Sequence, residues 1–434
     1  RSNIDAQITK TTRLGVDVSG RLEKSLNSGS SYTIFKELVR NTPVLLCRYP
    51  DGTFAFPDAT HPNIVAANQP GGSYSKGETF VVDARVELEQ ELDFITEGLS
   101  AKGVMSYSRN NYTNKAWSVS PYVYSKDANN EYVLNPRTSP SLNLTQNQTN
   151  YQEYQLQVNY NRSFGLHNVT AMTMVLARKG FSSTSCMFRN SFDSEILDQI
   201  NAGNTDGQTM NAVDSETARA SYMARVNYNY ASKYLVEFNI RRDGSENFAP
   251  DKRWGTFASA SLGWVISEEP FFESLKNTIN FLKIRGSYGT LGNDNTGGVS
   301  FPFYSRFELY QGAVASNGFM NNLGDYAFGD LVTKGLVPGA IANSLATWEK
   351  SNKANIALDA TLFNNLNFTV DLFTERRTNI LTQRTAEVPS SFGGTLPLEN
   401  IGIVNNKGID LSLNYHNSIG KVNYSARLFR LKQP

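Results

Sequence analysis

The chain has 434 residues, with 41 basic against 40 acidic side chains and 12% aromatic residues. That length allows several ordinary domains or one large architecture, and the balanced charge excludes the basic footprint of a nucleic-acid binder. The 21 Tyr and 25 Phe favour β-structure over helical bundles, and no apolar run reaches the ~20 residues of a membrane helix. The negative mean hydropathy leaves a transmembrane β-barrel open, because a barrel strand hides its apolar face in alternate residues.

Along the chain, period-two alternation recurs. The opening residues 1–23 suit an early strand pair. DARVELEQEL, Asp83 to Leu92, alternates well although its Glu, Leu and Ala content suits a helix; the strand-like GLSAKGVMSYS that follows favours a strand. YQLQVNYNR from Tyr154 is a further strand. In SYMARVNYNY, Tyr222, Val226, Tyr228 and Tyr230 oppose Ser221, Arg225, Asn227 and Asn229. In KYLVEFNIR, Tyr234, Val236, Phe238 and Ile240 oppose Glu237, Asn239 and Arg241. Phe257–Ile266, FLKIRGSYG, LNFTVDLF, IDLSLNY and KVNYSARL continue the pattern, with Lys283, Arg285 and Asp371 on polar faces.

The connections alternate in length. Joins at Ala231–Lys233, Asn364–Asn365 and His416–Lys421 are short, Ser267–Asn280 is intermediate, and those between them are long. Long loops are expected at about 24–80, 108–153, 178–220, 242–256, 292–347 and 377–404. A meander with long loops at one end and tight turns at the other is an outer-membrane barrel pattern, whereas a β-sandwich spreads loop lengths over both ends. The fold expected is therefore all-β, an antiparallel transmembrane barrel over residues 1–434. The chain starts at Arg1 without a signal-type region and ends in LFRLKQP after an unfinished strand, so a fragment is expected.

Residues that could carry chemistry are sparse. His61, His167 and His416 lack metal-ligand spacing. GNDNTGG, Gly292 to Gly298, lacks the ordered ligands of a calcium loop and reads as a turn. Asn-x-Thr sequons at Asn111, Asn143 and Asn168 arise easily in so Asn/Thr-rich a chain. Cys47 and Cys186 are compatible with one disulfide or with two separate thiols. RRDGSENFAPDKRWG, Arg241 to Gly255, concentrates charge, yet Asp243-Gly244 is turn chemistry and strands flank it. Asp243 and Glu246 are thus poor candidates for a catalytic pair, and no catalytic, metal or cofactor residue is expected. Trp117, Tyr122 and Tyr124, with Tyr304, Tyr310 and Phe319, are aromatic loop residues on which a sugar ring could stack. Arg225, Glu237, Arg241, Lys283, Arg285 and Asp371 would face a barrel lumen, where they could line a polar conduit or pair with one another.

Several long motifs carry a family resemblance. YNYASKYLVEFNIRRDGSENFAPDKRWGTFASASLGWVISEEPFF, LKIRGSYGTLGND, LATWEKSNKANIALDATLFNNLNFTVDLFTERRTNIL and LPLENIGIVNNKGIDLSLNY resemble SusC/RagA-like TonB-dependent outer-membrane transporters of Bacteroidetes. The resemblance is strong over about Ser221–Leu428 and weaker before it. It implies a barrel of about 22 strands when complete, of which this chain lacks the N-terminal plug, the TonB box and the last strands. It also implies a SusD-like lipoprotein lid, the TonB complex as energy source, and a glycan or peptide substrate taken across the bilayer. The alternatives are an outer-membrane or secreted glycan-active enzyme and a passive porin. A hydrolase needs two carboxylates ~5–10 Å apart, one with a raised pKa, and no carboxylate here sits in such a setting.

Overall fold

The computed structural model describes the chain except residues 29–35, 38, 41–43, 59–60, 310–324, 329–330, 335, 385–395 and 433–434. Among the described residues, 14 strands form one sheet whose spatial order follows the sequence. They are β1 (Ser2–Thr9), β2 (Thr12–Ser28), β3 (Tyr74–Glu91), β4 (Leu99–Ser118), β5 (Ser141–Phe164), β6 (His167–Asn190) and β7 (Thr209–Tyr230). There follow β8 (Tyr234–Ser245), β9 (Trp254–Val265), β10 (Ile279–Asn293), β11 (Glu349–Leu362), β12 (Leu366–Gln383), β13 (Leu398–Ile419) and β14 (Val422–Lys432). Every neighbouring pair is antiparallel, as in β10 with β11 and β12 with β13. No described helix is long and apolar enough to cross a membrane.

DARVELEQEL is strand in β3 up to Glu91, with only Leu92 in the turn that follows. Its alternation wins over helix propensity because Arg85, Glu87 and Glu89 meet Asp17, Gly15 and Arg13 of β2 on one face. Val86 and Leu88 take the other face, opposite Val16 and Leu14.

The two faces of the sheet differ throughout β8–β13. One carries Val236, Phe238, Ile240, Leu262, Ile284, Ile356, Leu372 and Ile409, all exposed. So continuous an apolar surface requires a hydrocarbon partner rather than water. Its height can be read on β9. Trp254 and Trp264 stand on this face ten positions apart, with Thr256, Ala258, Ala260 and Leu262 between them. At ~3.3 Å per residue and a strand tilt of ~40°, that run rises ~25 Å, the height of a barrel's apolar band. Both ends are aromatic. Trp254 lies 5.7 Å from Tyr222, with the Arg242 guanidinium 5.5 Å from its ring. Trp264 donates to Glu269 at 3.1 Å and sits near Tyr234, which donates to the same carboxylate at 2.6 Å.

Connections alternate as expected. Turns at 10–11, 92–98, 165–166, 231–233, 363–365 and 420–421 are short, and 266–278 contains two 3₁₀ turns. The opposite rim carries 29–73, 119–140, 191–208, 246–253, 294–348 and 384–397. All of these connections begin later than the sequence suggests, and all but 294–348 end earlier, most of all 119–140 and 191–208, because β4 to β7 extend well past the apolar band. β5 and β6 have 24 residues each, about twice what a bilayer needs.

Compact packing sits on the long-connection rim. Phe248, Phe257, Ala346 and Trp348 form one buried cluster, and Trp117, Leu142 and Phe192 form another. Gly292 is required at the first: a Cβ there would lie 1.9 Å from the Phe257 ring. The charged stretch Arg241–Gly255 is the hairpin between β8 and β9. Gly244 pairs with Trp254, and Phe248 is its buried plug.

Candidate functional site

The polar face of the sheet and the loops above it hold every described candidate. Arg225, Glu237, Arg241, Lys283, Arg285 and Asp371 share that face, and most are paired. Arg225 meets Glu237 at 2.8 Å and Arg241 meets Asp243 at 2.7 Å. Arg285 is clamped between Asp359 and Asp371, each at 2.9 Å. Asp371 lies opposite Ala357, which lies opposite Arg285, so one register line across β10–β12 sets up the triad. Lys283 makes no ion pair among the described residues. It lines, with Glu237 and Arg285, a groove of about 540 Å³.

A second groove of about 760 Å³ opens farther round the wall, between Arg1, Asp17, Arg85, Glu153, Arg178 and Arg219. Asp17, Arg85, Ser106, Glu153, Arg178 and Arg219 are successive cross-strand partners from β2 to β7. Their charges are balanced locally: Arg178 pairs with Glu153, and Arg219 reaches Asp294 at 2.8 Å. The charges of the polar face are therefore largely paired with one another, although Asp410, opposite Asp371, keeps a buried carboxylate oxygen without a partner among the described residues.

The loop aromatics fall into different settings. Trp117 is 3% exposed, its ring edge-on to Phe192 at 4.8 Å, so it packs a loop against the wall. Tyr122 is half exposed. The Arg137 guanidinium covers one face of its ring at 3.4 Å, and Glu195 holds both the phenol and the arginine. Tyr124 leads a small hairpin, Tyr124–Lys126 with Tyr132–Leu134. Its ring stands 6.3 Å from Tyr132, whose ring lies in turn 5.1 Å from that of Tyr49, tilted by 56°. Tyr304 is exposed beside Phe303, at 4.3 Å. Tyr310 and Phe319 lie outside the described residues.

Sequence reasoning passed over Tyr49, Tyr132 and Asp51. Tyr132 donates to Asp51 at 2.6 Å, and the Lys126 ammonium lies 5.1 Å from its ring. That phenol is the first cause holding the Asp51 carboxyl below its ordinary value. The cluster joins segments some 80 residues apart, so only the fold assembles it.

No group of three His, Cys, Asp or Glu able to hold a metal occurs among the described residues. His167 bonds the Tyr228 hydroxyl at 2.8 Å. Cys47 and Cys186 are both free, and Cys186 donates to Asn143 at 3.0 Å. The Gly292–Gly298 turn is closed by its own side chains, Asn293 accepting from Asn295 N and Asn295 from Gly297 N.

Comparison with known proteins agrees with this architecture. A family model described as TonB dependent receptor-like, beta-barrel, matches residues 8–432. TonB-dependent receptor P3 of Formosa agariphila is 27% identical over 96% of this chain and 39% of its own length. TonB-dependent receptor SusC of Bacteroides thetaiotaomicron is 30% identical over 68% of this chain and 27% of its own length. The solved structure of the RagAB peptide transporter superposes with a TM-score of 0.76 at 19% identity, covering 99% of this chain and 46% of that one. The chain thus spans less than half the length of these relatives. Fold, apolar band and family match agree: this is an outer-membrane protein, and the chain belongs to the TonB-dependent receptor β-barrel family.

Proposed function

We propose that this chain is the wall of an energised importer that carries nutrient oligomers, glycans or oligopeptides, across the outer membrane in concert with a SusD-like surface lipoprotein and the TonB complex. The observation that carries the reading is the pairing of wall charges, with Arg285 held between Asp359 and Asp371. A polar lumen whose ions are mostly neutralised offers hydrogen bonds with few strong point charges. That suits long, hydroxyl- or amide-rich substrates better than small ions. Similarity to SusC and to the RagAB peptide transporter supports the same reading.

Substrate capture is assigned to the rim. Tyr122, Tyr124 and Tyr304 present aromatic surface above the lumen, where sugar rings or peptide side chains can stack. Tyr310 and Phe319, outside the described residues, are added as further candidates on their sequence alone. Trp117, buried under Phe192, would support the rim from beneath. Lys283, without an ion pair among the described residues and beside a groove, is the lumen residue best placed to meet substrate. Deleting the full-length receptor in its host and measuring uptake of labelled oligosaccharides and oligopeptides tests this. Loss of uptake of one class supports the proposal and names the substrate. Unchanged uptake of both, together with hydrolysis of either by the purified receptor, contradicts it.

A further inference from the structure

Three strands of the wall carry a pattern that transport does not use. On the lipid-facing side of β11, β12 and β13, Ile356, Leu372 and Ile409 form one cross-strand row. They are 64%, 49% and 47% exposed. The next row on the same face is Ala354, Thr374 and Lys407, and the one above it is Asn352, Arg376 and Asn405. Lys350 follows, opposite Thr378. Along one face the surface thus changes from branched apolar to small, and then to basic.

Lys407, Arg376 and Lys350 are diagonal neighbours on adjacent strands, a relation that places Cα atoms ~7–8 Å apart and long side chains within reach of one another. All three are exposed. None makes an ion pair or a side-chain hydrogen bond among the described residues. The carboxylates of β11 and β12, Glu349, Asp359, Asp371 and Glu375, point to the opposite face, where they hold Arg285, Lys353 and Arg377; of the two on β13, Asp410 lies opposite Asp371 on that same face and Glu399 is paired with Arg384. Three like charges are therefore gathered without compensation on the face that meets lipid, an arrangement that costs free energy unless an anion lies there.

Their height identifies the anion's setting. Arg376 stands ten positions above Leu366, the first residue of β12 at the short-turn rim. Trp254 stands the same ten positions above Trp264 on β9. The basic residues thus lie at the outer interface, level with headgroups. Directly below them is an open groove of about 530 Å³ lined by Ile356, Leu372, Ile409, Ala354, Gly408 and, among the basic residues, Lys407.

We propose that β11–β13 form a binding site for a phosphorylated lipid of the outer leaflet. Its phosphate is held by Lys350, Arg376 and Lys407, and one acyl chain lies in the groove between Ile356, Leu372 and Ile409. A basic side chain near an anionic membrane surface contributes ~1 kcal/mol, about fivefold in affinity. Charge and groove act together here, so a free phosphate ion, which cannot fill the groove, would compete poorly.

The test uses the full-length receptor reconstituted in nanodiscs of phosphatidylcholine containing a minor fraction of phosphatidylglycerol, with bound lipid counted by native mass spectrometry. Retained phosphatidylglycerol should fall at least about tenfold in the variant Lys350→Gln/Arg376→Gln/Lys407→Gln. It should also fall in Ala354→Leu, which fills the groove and leaves every charge. Assembly of both variants is followed by heat-modifiable electrophoretic mobility. Equal retention by wild type and the charge variant, with assembly intact, overturns the proposal. Loss in the charge variant but none in Ala354→Leu, or displacement by inorganic phosphate, overturns the acyl groove and leaves an ion site only. If the glutamine variant fails to assemble, Lys350→Glu alone serves as the charge test, with the same two readings.

Discussion

The indole nitrogen of Trp348 donates a 3.0 Å hydrogen bond to the carbonyl oxygen of Arg253, 95 residues earlier in the chain. The ring also lies 5.5 Å from Phe248 and 5.4 Å from Phe257. One side chain therefore locks the β8–β9 hairpin to the connection that precedes β11. Ser245 reinforces the lock by donating to Asp294 at 2.7 Å, on the far side of β10. The charged stretch that resembles an active site in the sequence is a structural knot at the rim.

Replacing Trp348 with Ala should cost about 3–5 kcal/mol through lost packing and a cavity. Trp348→Phe should cost much less, chiefly one hydrogen bond of about 1 kcal/mol. Limited proteolysis at the Asp251–Arg253 bonds checks this: the Ala variant is cut there rapidly while the Phe variant resembles wild type.

Arg285 separates two carboxylates that would otherwise repel. Arg285→Met should destabilise the wall by about 1–3 kcal/mol, between the values of exposed and buried pairs because the guanidinium is partly solvated. Adding Asp359→Asn and Asp371→Asn to the same chain should restore most of the loss. The midpoint of heat-induced unfolding in detergent reports both changes, and a triple variant no more stable than Arg285→Met would contradict the pairing.

Asp198 anchors the 191–208 connection to the wall. Its carboxyl is held below the ordinary value, first by the Tyr74 hydroxyl that donates to it and then by Lys115 at 2.9 Å. A depressed folded pKa means that the anchoring is complete above the ordinary carboxylate value of ~3.9. It is lost only as pH falls through the lower folded value. Protease sensitivity of 191–208 should thus stay flat from neutral pH to about pH 4 and rise below it. Asp198→Asn should be sensitive already at neutral pH and show no such rise.

Tyr122 and Tyr304 test the rim assignment. Each substitution to Ala should lower substrate uptake several-fold, since stacking on an aromatic face contributes about 1 kcal/mol or more. Barrel assembly, read by heat-modifiable mobility, should be unchanged. Uptake equal to wild type in the double variant would remove the rim aromatics from substrate capture.

Much of this architecture is legible in the residues, and the limit of legibility has a physical cause. Tyr234, Val236, Phe238 and Ile240 announce their strand because one face meets hydrocarbon and the other does not. Above the apolar band that contrast ends. TQNQTN, residues 145–150 of β5, is polar on both faces and reads as loop, yet it pairs with β4 and β6 along its whole length. The site follows the same rule. Arg285 and Asp371 are visible as polar-face residues, but Asp359 becomes their partner only through the register of β10 with β11. Trp117 reads as an accessible aromatic, and only the packing of Phe192 from a distant loop buries it. The lipid-side basic diagonal was equally hidden, since Lys350, Arg376 and Lys407 are unremarkable until three strands lie side by side.

Energised import by the full-length receptor is tested most directly by substrate accumulation in living cells before and after the proton gradient is collapsed with an uncoupler. The account predicts periplasmic accumulation that depends on the receptor and falls to background when the gradient is lost. Uptake that persists undiminished without the gradient would contradict it and mark the barrel as a passive pore.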